Sequence, residues 1–144
     1  MVEHAHKVLP RGLPDSLKKR RLLNDKELSP ELCRDYGEKF LALGFAEDAL
    51  EFFVRGNYEP GLDTLKAQAL EEGDAFLMTR LGPQPPEIWR QVADQALKLG
   101  KIHFARRALE QAGDREQAEE EAADYYSFML WQAGVPGFQP TREP

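Results

Sequence analysis

One cysteine, three histidines and three serines are all that the 144 residues offer toward the commonest catalytic and metal-binding chemistries. Cys33 alone permits no disulfide within the sequence, excludes a cysteine-based zinc site and fits a reducing compartment. Ser16, Ser29 and Ser127 lie in no G-x-S-x-G elbow, and neither a P-loop nor a G-x-G-x-x-G string occurs, so acyl transfer and phosphate cradling lack their usual supports. No apolar run approaches the roughly 18–20 residues that span a bilayer, and the first residues lack the apolar core of a secretion signal. A cytoplasmic protein is the expectation. Alternation of the strand type is missing as well, which leaves helices to carry the fold.

What the sequence does have is repetition. Pro30-Glu31-Leu32 leads to Leu41, Leu43-Gly44 and Ala49; 56 residues later Pro86-Glu87-Ile88 leads to Leu97, Leu99-Gly100 and Ala105, and Arg34 is matched by Arg90. A weaker copy falls halfway, with Leu62, Leu65, Ala69 and Gly73. The spacing implies a unit of about 28 residues, the size of one helical hairpin, and periodicity of that kind marks repeat arrays.

Local signals place the helices. Ser29 can cap a helix whose first residue is Pro30, with Glu31 complementing its positive end. Leu32, Cys33, Tyr36, Phe40, Leu41 and Leu43 form its apolar face, Gly44 ends it, and Ala46 to Arg55 returns with Ala49, Leu50, Phe52 and Phe53 inward. Gly56-Asn57 reads as a stop followed by a cap for a helix from Glu59 to about Glu72, and a short helix with Phe76, Leu77 and Leu81 follows Gly73-Asp74. Past the Gly82–Pro86 connector, a helix from Glu87 to Leu99 pairs with one carrying Ile102, Phe104, Ala105, Ala108, Leu109 and Ala112. Asp114 with Gln117 resembles a capping box for a last helix, and Tyr125, Tyr126, Phe128 and Trp131 give that helix more apolar surface than one neighbour covers. A homodimer through this end is one expected partnership.

With the helices placed, Tyr36, Gly37, Phe40, Gly44, Ala49 and Phe53, and again Trp89, Val92, Ala93, Ala96, Gly100, Ala105, Leu109 and Ala112, resemble the tetratricopeptide repeat and the related hairpins of clathrin and coatomer solenoids. The resemblance implies an all-α fold, an α–α superhelix of about three to four hairpins in a right-handed solenoid, with the repeats over residues 29–134. Residues 1–28 are then a basic amino-terminal arm with a short helix, and 135–144 a flexible tail. It implies no enzymatic activity and no cofactor. Its concave groove would hold a protein or peptide segment, with Arg34, Asp35, Glu38, Arg90, Gln91 and Asp94 as contacts, and Arg34–Glu38 and Arg90–Asp94 stand at the i,i+4 spacing of intrahelical ion pairs.

Charge supplies the rival reading. Residues 1–26 hold seven basic and three acidic groups, a net +4, whereas the remainder holds 12 basic and 22 acidic, a net −10. Such a basic arm either meets a separate partner or folds back on the acidic body. Lys18, Lys19, Arg20 and Arg21 could touch nucleic acid or an anionic surface, although the acidic body and the lack of interleaved aromatics argue against nucleic acid as the main ligand. If Met1 is removed, the start Val2-Glu3-His4 could enclose Cu(II) or Ni(II) through its amine, two amides and His4; the plainer reading is a histidine in a mobile terminus. Cys33 reads as an inert core thiol and His103 as an exposed helix residue.

Overall fold

A computed structural model of the protein describes residues 12–137. Among them are eight helices and no strand: α1 (Ser16–Asn24), α2 (Pro30–Ala42), α3 (Ala46–Arg55), α4 (Glu59–Glu72), α5 (Ala75–Arg80), α6 (Pro86–Lys98), α7 (Ile102–Ala112) and α8 (Arg115–Gln132). The chain forms two compact units, Met1–Leu65 and Lys66–Pro144, and α4 runs through the division.

The first unit is built around α2 and α3. Ser29 accepts the Leu32 amide through its side chain and Pro30 opens α2, so the start is as its residue types dictate. Phe40 stacks on Phe52 at 5.7 Å, and Tyr36 packs on the other flank of Phe52 at 5.3 Å. Phe53 lies between two glycines: a Cβ on Gly37 would stand 2.3 Å from its ring and one on Gly61 2.7 Å away. Small residues on α2 and α4 thus admit a large ring from α3. Cys33 is fully buried, and Gly56 closes over it with room for no Cβ. Leu32 and Leu43, expected on the inward face, are exposed instead. Leu32 precedes Cys33 by one 100° step that carries it off the stripe, and Leu43 is already the C-cap.

The second unit packs α6, α7 and α8 in sequence, with α5 against α6 and α7. Its core is rich in alanine: Ala93, Ala96, Ala105, Ala108 and Ala118 are fully buried, with Leu77, Met78, Trp89, Val92, Ile102 and Leu109 as the larger members. Small side chains let helices come close, and Gly73 meets the α6 backbone with no room for a Cβ. Gln95 Nε2 and Lys101 Nζ donate to the Glu71 and Glu72 carbonyls, both at 2.7 Å, and satisfy the free end of α4.

The sequence repeat is also a repeat of backbone conformation. Leu43 has φ −91°, ψ 0° and Leu99 φ −89°, ψ 0°; the glycines that follow have φ 81° and 72°; Phe45 and Lys101 then have φ −92°, ψ 70° and φ −89°, ψ 68°. Phe45 N donates to Phe40 O at 2.9 Å and Lys101 N to Ala96 O at 2.8 Å, the long closing bond of a Schellman turn in each hairpin. Asn57 departs from expectation. It takes φ 50° and closes α3 in the glycine's place, and Tyr58, whose carbonyl receives the Leu62 amide at 3.2 Å, opens α4. Asparagine does this because it tolerates the left-handed region better than other side chains.

Gly73 and Gly100 separate two penalties within one unit. Both have positive φ, but a Cβ at Gly73 lies 2.5 Å from the Ala96 nitrogen while one at Gly100 meets nothing within 4 Å. Gly100→Ala is expected to cost about 1–2 kcal/mol. Gly73→Ala is expected to cost a further 1–3 kcal/mol, roughly, because backbone cannot step aside. Urea unfolding followed by circular dichroism measures both, and equal losses would disprove the close approach.

Candidate functional site

The six expected groove residues all stand exposed on α2 or α6, but their bonding differs. On α2, Arg34 Nε approaches Glu38 Oε1 at 3.4 Å, the expected i,i+4 pair. Tyr58, which the sequence did not single out, completes the cluster: its hydroxyl donates to Glu38 Oε1 at 3.1 Å, and the Arg34 guanidinium lies 5.1 Å above its ring. Asp35 stands beside them in solvent. The result is a cation, a carboxylate and an aromatic face held together at the surface of the first unit.

On α6 the expected Arg90–Asp94 pair is not formed. Arg90 Nε donates to Asp114 Oδ2 at 2.9 Å and its terminal nitrogen reaches Oδ1 at 3.4 Å. A planar fork gains more from two parallel bonds to one carboxylate than from a single-sided contact along its own helix. The same bond undoes the expected capping box, because Asp114 turns its carboxylate to Arg90 and makes no side-chain cap to α8. Hydrogen bonding to Arg90 holds the Asp114 carboxyl below the usual carboxylate range, and the bond to Asp114 raises the Arg90 guanidinium. Gln91 and Asp94 remain exposed on the same helix.

The basic cluster does not act as four equal charges. Lys19 turns onto α3, where its Nζ donates to Asp48 at 2.6 Å and pairs with Glu51 at 2.9 Å. Burial there pulls the Lys19 ammonium down, but the hydrogen bonds and charges of the two carboxylates outweigh it and leave the pKa raised. Lys18, Arg20 and Arg21 are exposed, so of the four basic side chains Lys19 is the one that pairs with α3 among the described residues. Asp15 caps α1 by accepting the Lys18 amide at 2.8 Å, and Pro14 before it is fully buried.

Cys33 is fully buried, as expected of a core thiol, and burial raises its pKa. His103 is exposed and lies 6.3 Å from the Tyr126 ring. Among the described residues no three His, Cys, Asp or Glu side chains gather as metal ligands, and no helix is long and apolar enough to cross a membrane. His4, with Val2 and Glu3, lies outside the described residues, as do the last seven residues of the expected tail.

A second gathering of side chains was not foreseen from the sequence. Phe76 on α5 and His103, Phe104, Arg106, Arg107 and Glu110 on α7 line an open cleft of about 330 Å³. Ala75, Leu77 and Met78 are the buried residues of this short helix, and Phe76 turns outward, 51% exposed. The only signal in the sequence was Arg106-Arg107 within an otherwise amphipathic helix.

The Arg90–Asp114 bond fixes a pH dependence. Because the folded-state pKa of Asp114 is lowered, its contribution to stability is present above the ordinary carboxylate range of about 4 and is lost as pH falls through the lowered value. Carbon-13 NMR titration of the Asp114 carboxyl is expected to show this low pKa in the native chain and its return toward the ordinary range in Arg90→Gln. An unchanged titration in the variant would mean that the bond is not made in solution. The chain matches no protein-family model, no curated protein and no solved structure.

Proposed function

We propose that this chain is a non-enzymatic protein-interaction module built of tetratricopeptide-like helical hairpins. In this reading the hairpins continue as a right-handed α–α superhelix, work in the cytoplasm, and offer Arg34, Asp35, Glu38, Arg90, Gln91 and Asp94 to a partner segment. The repeat reading is supported by the two turns at Gly44 and Gly100, whose flanking dihedrals agree within a few degrees.

The interaction reading is carried by the end of α8. This helix has 18 residues and α7 has 11, and at 1.5 Å per residue α8 is longer by about 10 Å. Tyr126 stands beside His103 at the start of α7, so the following turn and a half runs past the helix that α8 packs on. Phe128, Met129, Leu130 and Trp131 occupy that stretch at 100° steps and surround the helix with apolar groups. Tyr126, Met129, Leu130 and Trp131 are 47%, 46%, 38% and 46% exposed. A helix apolar on all sides belongs in an interior or an interface. A second copy of the chain brings an identical apolar end, and two such ends can cover each other about a twofold axis.

The alternative contact with nucleic acid or an anionic surface retains Lys18, Arg20, Arg21 and the exposed Leu17, but loses Lys19 to two carboxylates, which favours the interaction reading. Sedimentation equilibrium is expected to show a dimer at micromolar to millimolar concentration. Leu130→Glu and Trp131→Glu, both at exposed sites, are expected to give monomers with unchanged helical content. A native chain that stays monomeric throughout that range removes the homodimer.

A further inference from the structure

The cleft between α5 and α7 adjoins Tyr126 of α8 through His103, but its chemistry differs from that of the apolar end of α8. Phe76 and Phe104 give it an apolar floor, and the exposed stripe of α7 gives it a basic rim. Arg106 is held by Glu110, with Nε to Oε1 at 3.1 Å. Arg107, next to it, has no acidic partner among the described residues, in a chain with six more acidic than basic groups. His103 adds a further polar group, its ring 6.3 Å from that of Tyr126. An unpaired guanidinium next to a half-exposed aromatic ring is thus concentrated at one place on an acidic molecule.

We infer that this cleft binds a short acidic segment of a partner protein, one in which a carboxylate side chain neighbours an aromatic or aliphatic one. The apolar side chain lies over Phe76 and Phe104 and removes their exposed faces from water. The carboxylate takes the two parallel N–H bonds that Arg107 offers, a geometry that a planar guanidinium matches and an ammonium does not. Each half of the ligand follows from its own part of the cleft. A lone anion would leave Phe76 uncovered, and a purely apolar segment would shut Arg107 away from water without a partner, which is costly.

Size and openness narrow the class further. Sites for small molecules enclose most of their ligand. This cleft is open and holds about 330 Å³, room for one or two side chains of a longer chain that passes across it. Nucleic acid fits less well, because a strand needs a succession of cations, and the cation beside Arg107 is already paired with Glu110. The expected groove of the repeats would suit a basic or mixed-charge peptide, so this cleft adds a contact of opposite preference.

The test uses the full chain, labelled with nitrogen-15, and the peptide acetyl-Asp-Glu-Phe-Asp-Leu-amide as probe. Titration to 2 mM is expected to shift the amide signals of Phe76 and of residues 103–110. The Asn/Gln version of the peptide is expected to bind at least tenfold more weakly, and raising salt is expected to weaken the acidic peptide. Arg107→Ala should lower affinity about 10- to 100-fold, the range for a lost hydrogen bond to a charged group. Phe76→Ala should lower it about tenfold; both positions are exposed, and circular dichroism checks that each variant is folded. Leu130→Glu should bind as the native chain does, so that failure of the α8 dimer and failure of this cleft are read separately. No shift at 2 mM, equal binding by the Asn/Gln peptide, or unchanged affinity in Arg107→Ala would overturn the inference. So would tighter binding of a ten-residue oligothymidylate at the same amides.

Discussion

After α2, α4, α6, α7 and α8 the chain reverses through a glycine with φ between 60° and 86°, and after α3 through Asn57. At all six places the residue that follows donates its amide to a carbonyl five positions back, at 2.8–3.1 Å. These closures satisfy carbonyls that each helix end would otherwise leave free, and they set the direction in which the next helix departs. In the hairpins α2–α3 and α6–α7 that direction is the same, because the three residues of the turn hold nearly the same angles. The apolar stripes of consecutive helices then face each other only if each helix has the right length and phase. Most of the packing is a consequence of where the glycines fall.

Identical turns nevertheless lead to unlike interiors. In the first unit the space between helices is filled by rings, Phe40 against Phe52 and Phe53 between Gly37 and Gly61. The second relies on alanine and on a glycine set against backbone. The second unit also turns large residues outward: Phe76, Tyr126, Met129, Leu130 and Trp131 are all exposed there. Among the described residues of the first unit, the exposed large residues are single aliphatic ones, Leu17, Leu32, Leu43 and Val54. Scattered aliphatics need no explanation on a protein surface, whereas contiguous aromatic patches do.

The helices were legible because their limits depend on neighbours a few residues away. Ser29 with Pro30, the Leu-Gly pairs and the Gly82–Pro86 connector fix boundaries through local geometry, and the structure follows them closely. Asn57 was misread because two local roles, closing one helix and capping the next, suit asparagine equally, and the choice depends on where α4 begins. Side-chain partners were less legible. Arg90 had an acidic residue four positions on, but found a better one 24 positions away, beyond a turn whose register no local pattern states. The rings of Phe53 and Tyr58 and the outward turn of Phe76 are of the same kind: each depends on helix rotation, which the apolar period fixes only to within about one 100° step. The six groove residues were legible as exposed positions, and Arg34–Glu38 as a pair, whereas the partner of Arg90 was not.

That distinction decides where binding capacity resides. An ion pair already formed has to be broken before either member can serve a ligand, so its gain on binding is the difference between two similar bonds. Arg34 with Glu38 and Tyr58, Arg90 with Asp114, and Lys19 with Asp48 and Glu51 all carry that cost. Surface pairs are individually weak, and Arg34 remains able to exchange Glu38 for another carboxylate. Arg90 is less free to do so, since its two bonds to one carboxylate both have to be replaced. Arg107 and the end of α8 carry no such cost. One presents a charge without a counter-charge among the described residues and the other apolar side chains left 38–47% exposed, so a partner's contribution at either place would not be offset by a bond given up. In the proposed reading the hairpins supply the frame, and a partner would be met where their own bonding is left incomplete.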